Sequence, residues 1–254
     1  MIADKTFWFI RHGESEGNAG LPTPSAGEIH LTNKGIQQAE CIPDQIIDAP
    51  DMFVVSPFCR TSETAAPTLK KFPNVPVETW NIQEYTYLPE KLHDNTTLKQ
   101  RRWPAIRYFM RMDPELILGP GAESFNQLIA RVDSTLEKLV SGTSSTIILF
   151  SHGWFMRTLI WRLIFFPGLW GGISLGELKD KMPTSDFLFK LFSRNPDIGK
   201  NQIKHFLRFS GIISVPNGSI LKLRWQAKQA QFKLDQVTVD HIKPELRGTH
   251  LSDR

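Results

Sequence analysis

Three short apolar runs in the chain share one design. Phe7-Trp8-Phe9-Ile10 leads into Arg11-His12-Gly13-Glu14, Met52-Phe53-Val54-Val55 leads into Ser56-Pro57 with Arg60 close behind, and Thr146-Ile147-Ile148-Leu149-Phe150 leads into Ser151-His152-Gly153. Each run is rich in β-branched or aromatic residues and is followed by a helical pattern, which predicts buried parallel strands. A further short strand is expected at 75–79. Alternating positions at 219–225 and 232–239 predict an antiparallel pair late in the chain.

Between the strands the apolar period changes to three and four. Thr32 opens a helical segment reaching about residue 47, with Ile36, Ala39, Ile42 and Ile46 on one face and a kink or break expected at Pro43. A second helix carries Arg60 and runs to about Lys71, with Pro67 expected to interrupt it. Residues 95–112 read as a third, capped by Thr96 or Thr97 and broken in pattern by Pro104. Ser124 and Gln127 form a capping-box pattern ahead of 125–140, where Leu128, Val132, Leu136 and Leu139 share a face before Gly142. The tract 154–166 carries Arg157 and Arg162, is too short to span a bilayer, and predicts a buried helix behind His152. Residues 21–30 form a loop expected over a site mouth, and 81–89 do not read as a regular element. This alternation predicts an α/β fold, a three-layer α/β/α sandwich with a mostly parallel sheet.

Residues 167–218 change character, becoming aromatic and basic, with Phe187, Leu188, Leu191 and Phe192 at helical spacing and a short helix around 201–209. Core beneath a cap is the reading, and a membrane-surface or oligomer contact is the alternative. The expected organisation is one domain over 1–254 with a helical cap or insertion at about 167–218.

Composition narrows the chemistry. Thirty basic against twenty-six acidic residues give a net charge of +4, compatible with a phosphorylated substrate and too mild to argue for nucleic acid. The two cysteines, Cys41 and Cys59, are neither a disulfide framework nor a metal spacing, and residues 1–10 hold no signal-length apolar segment. Reduced thiols and a cytoplasmic location are expected.

Ligands of parallel sheets bind beyond the carboxyl ends of the strands, so Arg11, His12, Arg60 and His152 should converge. Two guanidiniums suit the oxygens of a phosphoryl group, and their field disfavours protonation of a neighbouring imidazole. A neutral imidazole facing phosphorus is a nucleophile. Zinc is the rival partner for two histidines, but no third ligand stands at ligand spacing and the arginines would repel a cation, so neither metal nor cofactor is expected. Cys59 would need a Cys-x5-Arg loop to serve as a phosphatase nucleophile, and position 65 is Ala.

Arg11-His12-Gly13-Glu14-Ser15 with Asn18, Ser56-Pro57-x-x-Arg60-Thr61 followed by Thr64-Ala65, and Ser151-His152-Gly153 together resemble the histidine phosphatase superfamily, the phosphoglycerate mutase-like proteins. Smaller matches are Leu31-Thr32-x-x-Gly35-x-x-Gln38-Ala39, Gly121-x-Glu123-Ser124 with Arg131, and Pro216-Asn217-Gly218. The resemblance implies His12 as the phosphorylated residue, Arg11, Arg60 and His152 as holders of the phosphoryl oxygens, and Glu84 as the catalytic acid. It also implies a phosphate contact from Asn18 and sets Tyr87 where the mutases have a tyrosine.

The expected activity is that of a phosphoric monoester hydrolase, a phosphatase of the histidine acid or broad-specificity type acting on a phosphorylated metabolite or protein. Mutase-type phosphoryl transfer and a non-catalytic phospho-ligand binding module are the alternatives. After Glu84 the chain reads Tyr85-Thr86-Tyr87-Leu88-Pro89, where Leu88 replaces the mutase glycine, and Lys91 and Lys99 miss the spacing of the mutase lysine. Arg101, Arg102, Arg107 and Arg111 read either as a grip on a distal negative charge or as a solvated helix face. Glu14 is a second candidate acid, or balances the charge of the cluster. The partners expected are a phosphorylated substrate, no nucleic acid and no stable membrane insertion, with a homodimer open.

Overall fold

A computed structural model describes residues 3–168, 170–181 and 201–247. Its six strands are β1 (Lys5–Arg11), β2 (Met52–Val55), β3 (Val77–Thr79), β4 (Thr146–Ser151), β5 (Ile220–Gln226) and β6 (Gln231–Thr238). They lie in one sheet in the order β3-β2-β4-β1-β5-β6. Strands β1 to β4 run parallel to one another, and β5, antiparallel to β1, and β6 close the other edge.

Alternation along the strands divides the core into two layers. Phe7, Phe9, Val54, Ile147, Leu149 and Leu223 face one cluster, while Ile10, Phe53, Val55, Ile148, Phe150 and Ile220 face the other. Helices α4 (Phe125–Ser141) and α5 (Gly153–Phe165) cover the first face through Leu128, Val132, Leu136, Phe155 and Leu159. The second face meets Ala65 of α2 (Cys59–Lys71) and Ile42 and Ile46, which follow α1 (Asn33–Glu40). The remaining α-helices among the described residues are α3 (Leu98–Met110), α6 (Leu175–Lys181) and α7 (Gln202–Ser210). A three-layer α/β/α sandwich results, as the strand and helix alternation predicts.

Several local expectations are corrected. The segment from Thr32 breaks at Pro43 as expected, but the regular helix already ends at Glu40 and only a 3-10 turn at Pro43–Gln45 follows. Of the expected face Ala39, Ile42 and Ile46 are buried, but Ile36 is 47% exposed; Gly35 and Gln38 face inward in its place, since Gly35 lies against the loop after β1. Neither Pro67 nor Pro104 interrupts its helix. A proline removes one backbone hydrogen bond, and α2 is held at its front turns by Thr61 and Thr64 hydroxyls bonded to the Phe58 and Arg60 carbonyls. Helix α3 starts from a Thr97–Gln100 capping box. The third strand shortens to three exposed residues at the sheet edge. In the 167–218 excursion the helix expected near 201–209 forms as α7. The stripe Phe187, Leu188, Leu191 and Phe192 lies outside the described residues.

The Gly35 contact is the closest in the site region. A Cβ on Gly35 would stand 2.0 Å from the Glu14 carbonyl oxygen, and one on Gly13 would stand 2.4 Å from the Gly35 carbonyl oxygen. Backbone meets backbone there, which locks the loop after β1 onto α1. Gly35→Ala is therefore expected to destabilise the fold by about 2 kcal/mol or more, as forced overpacking does. At Gly27 an added Cβ meets only the Phe58 ring, at 3.6 Å, so Gly27→Ala should change stability by less than about 1 kcal/mol. Urea unfolding of the two variants tests the contrast, and equal effects would refute it.

Candidate active site

The register of the two central strands sets the site. Ile10 pairs with Phe150 and Arg11 with Ser151, so the next residue on each strand is a histidine and the two stand side by side. The His12 amide donates to the Ser151 carbonyl at 3.0 Å. The two imidazole rings lie 5.0 Å apart between centroids, and both are buried. Strand β2 ends beside them, with Ser56 Oγ 2.7 Å from His152 Nε2. The following helix presents Arg60 from its first turn, with Nε 3.2 Å from His12 Nε2 and Nη1 donating to the Ala26 carbonyl at 2.8 Å. That last bond draws the 21–30 loop over the site mouth.

The tautomer of His12 follows from its two neighbours. Nδ1 lies 2.7 Å from the Gly13 carbonyl oxygen, which can only accept, so Nδ1 carries the proton. Nε2 then keeps its lone pair toward the Arg60 Nε–H. Burial first, and then the charges of Arg60 and Arg11, hold the His12 pKa well below its ordinary value. His152 is lowered in the same direction by burial, by Arg60 and by His12. Two neutral imidazoles therefore sit inside a positive field.

The loop carrying Glu84 is fastened from outside. Arg131 grips Glu123 with Nε at 2.9 Å and Nη2 at 2.6 Å, and its Nη1 donates to the carbonyls of Asn81 and Gln83. Ser151 Oγ donates to the Ile82 carbonyl from the end of β4. Glu84 Oε1 accepts from the Trp154 amide at 2.9 Å and from the Tyr85 amide at 3.1 Å. The Trp154 amide is an orphan donor at the start of α5, so the carboxylate serves that helix as a cap. Glu84 thereby enters the cluster of His12 and His152, with ligand atoms of all three within 4.8 Å of one another.

A profile of the histidine phosphatase superfamily (branch 1) matches residues 7–169, more than half of the chain. The chain belongs to the histidine phosphatase superfamily. Solved structures similar to it include the alpha-ribazole phosphatase from Shigella flexneri, at 18% identity and TM-score 0.61 over 94% of this chain and 98% of that one. The phosphoserine phosphatase from Entamoeba histolytica aligns at 18% identity and TM-score 0.60 over 94% and 100% of the two chains. YhfR from Bacillus stearothermophilus aligns at 17% identity and TM-score 0.62 over 94% and 100%. At these identities the likeness is one of fold. No curated protein matches the chain in sequence.

Within the family's motifs the remaining residues sort by what they touch. Asn18 Oδ1 accepts from the Ser15 amide, the Ser15 hydroxyl and Asn217 Nδ2, which turns its own Nδ2 toward the cavity. Tyr87 also lines the cavity, its phenol pushed up to about 12 by burial and Glu84. Glu14 turns away from it to Thr32 Oγ1 at 3.0 Å and Lys34 Nζ at 3.1 Å, so it balances a lysine rather than Arg11 or Arg60. Of the four arginines on and after α3, Arg101 and Arg102 face the cavity, whereas Arg107 and Arg111 do not line it. His152 lies beneath the cavity floor and does not line it.

Three contributors have no role in the sequence reading, although it names Arg157 and Asn217. Arg157 of α5 lies on the cavity wall with Nε on the Ile213 carbonyl at 3.0 Å. Its signal was a cation, one of two with Arg162, inside a largely apolar helix. Asn217 Nδ2 donates to the carbonyls of His12 and Gly13 and to Asn18, clamping the backbone under the nucleophile candidate. His93 lines the cavity, its imidazole lowered to about 4 by burial, Arg101 and Arg60, and nothing in the sequence placed it there. Folding supplies the third potential zinc ligand, Glu84, that sequence spacing lacks. Arg60 still faces the Nε2 atom that a metal would take. No helix among the described residues is long and apolar enough to cross a membrane.

The buried histidines carry a pH signature. Their folded-state pKa values lie below the unfolded value near 6.5, so the unfolded chain takes up protons first as the pH falls. Stability that is full above about pH 6.5 is then lost on acidification, by up to about 1.4 kcal/mol per pH unit for each histidine. Urea unfolding at pH 7, 6 and 5 should show this slope, and His12→Gln should make it shallower. Stability independent of pH over that range would contradict neutral, buried imidazoles.

Proposed function

We propose that this chain is a metal-independent phosphomonoester hydrolase working through a phosphohistidine at His12. The observation that carries the reading is the single orientation left to His12: its Nδ1–H is held by the Gly13 carbonyl, while Nε2 keeps a lone pair beside Arg60 and Arg11 at the cavity floor. Nε2 attacks phosphorus, the P–N bond forms as the P–O bond to the alcohol breaks, and the Glu84 carboxyl gives its proton to the departing oxygen. Water then attacks the phosphoenzyme and gives a proton to Glu84, and the P–N bond breaks back to neutral His12. Arg11 and Arg60 hold the phosphoryl oxygens, Asn18 adds its Nδ2–H, and the neutral His152, fixed by Ser56, offers Nδ1 from below. Stabilising these oxygens as charge shifts is the larger part of catalysis in such a transfer.

A mutase reading has one observation behind it, the placement of Lys99, Arg101 and Arg102 on the cavity wall. Arg101 Nη1, however, is engaged by Thr23 Oγ1, the Thr96 carbonyl and Thr96 Oγ1, and Leu88 stands where the mutases have glycine. Hydrolysis is the reading these features favour. A coupled assay of 3- and 2-phosphoglycerate interconversion beside phosphate release separates the two, and interconversion faster than release from every monoester would select the mutase.

His12→Ala should abolish both turnover and the acid-labile phosphoenzyme while the folded state persists by circular dichroism. Full activity in that variant would sink the mechanism, whereas a wild type that turns over no phosphomonoester would leave a binding module as the reading. Glu84→Gln should lower kcat/KM for an alkyl phosphate by about 10² to 10⁴ and that for 4-nitrophenyl phosphate far less, because only the poor leaving group needs a proton. An equal loss on both would move the acid role to another residue.

A further inference from the structure

The cavity above the histidines encloses about 1050 Å³, beyond the roughly 300–1,000 Å³ that holds a drug-sized ligand. A phosphoryl group on a small polar alcohol would fill a minor part of it. Its long wall is one face of α3, where Leu98, Arg101, Ala105, Ile106 and Phe109 recur at spacings of three and four along about 16 Å of helix. The amino-terminal half of that face is basic and the carboxyl-terminal half is apolar.

The apolar half is joined to the proton donor. Phe109 and Trp154 stack with planes 6° apart and centroids 5.6 Å apart, and Trp154 packs in turn on Phe206 of α7 at 5.7 Å. The Trp154 backbone amide is also the donor that holds Glu84 Oε1. If Glu84 protonates the departing oxygen, the alcohol lies on the Glu84 side of phosphorus and therefore against Trp154, Phe109 and their neighbours. Helix α7 finishes this end, with Leu207, Ser210 and Gly211 on the cavity wall. Phe206, fully buried against Phe125, Trp154 and Trp161, sets its position. Among the described residues that line the cavity, Glu84 is the sole carboxylate.

We propose that the space between the carboxyl-terminal half of α3 and α7 is a leaving-group subsite for a ring-bearing apolar alcohol. The substrate class is then phosphomonoesters of large apolar alcohols, and α7, through Leu207, selects for them. This inference rests on the phosphatase reading above.

The test compares ethyl phosphate with 2-(2-naphthyl)ethyl phosphate, whose primary alcohols differ little in acidity, so that a difference in kcat/KM reports fit rather than leaving-group reactivity. Burial of the ring system should raise kcat/KM for the naphthyl ester by about 30-fold or more. Leu207→Asp, which sets a carboxylate against the guest, should cut that ratio by about tenfold. Met110→Asp, at a lining position 73% exposed, serves as the second variant should Leu207→Asp fail to fold. A wild-type ratio below about threefold, or a ratio untouched by the folded variants, overturns the proposal. Release from 4-nitrophenyl phosphate with none from either alkyl ester overturns it as well, yet leaves the phosphatase reading standing. No release from any of the three, with no phosphoenzyme, removes that reading and this inference together.

Discussion

The structure is built around a concentration of buried positive charge at the carboxyl ends of β1, β2 and β4. Arg11, Arg60 and Arg157 line one cavity beside the imidazole of His12, with Glu84 the sole carboxylate among the described residues that line it. Gathering like charges out of water is unfavourable unless their donors are satisfied. Backbone carbonyls satisfy several of them, since Val215 accepts from Arg11, Ile213 from Arg157 and Ala26 from Arg60. The loop at 21–30 and the segment before β5 are consequently positioned by the guanidiniums they satisfy. A phosphoryl dianion complements the field that remains.

The same field decides what the histidines can do. An imidazolium at either position would face Arg60 and Arg11 in a desolvated site, so the neutral form persists. Neutrality alone would leave two tautomers of His12, and the Gly13 carbonyl selects the one with its lone pair on Nε2. Electrostatics and one backbone hydrogen bond together set the chemistry available to the ring. The clamp of Asn217 on the His12 and Gly13 carbonyls keeps that backbone in place.

Glu84 illustrates how structural and chemical duties combine. His152, at the N-cap of α5, makes no side-chain capping bond, and the Glu84 carboxylate reaches across from a separate loop to satisfy the Trp154 amide. The Glu123–Arg131 fork and Ser151 Oγ hold the loop in reach. An irregular segment becomes precise because three regular elements fasten it.

Much of this was legible in the chain itself. The three strand-to-motif junctions, the capping box at Ser124 and the helix stripe of α4 are local signals, since strand and helix periods place side chains regardless of what lies opposite. Arg11, His12 and His152 were readable because each stands at or just beyond the end of a strand, and Arg60 because it opens the helix that follows one; parallel strands align their ends. Glu84 became readable through family resemblance, as a loop has no period to mark it. What only the tertiary structure decided are the relations between distant segments: Asn217 beneath His12, Arg157 and His93 on the cavity wall, Glu14 turned to Lys34, and Ile36 displaced outward by the Gly35 backbone contact. The apolar wall of Phe109, Trp154 and Leu207 belongs with them. Each depends on which surface meets which, and a one-dimensional pattern of apolar and polar positions says that a face is buried without saying against what.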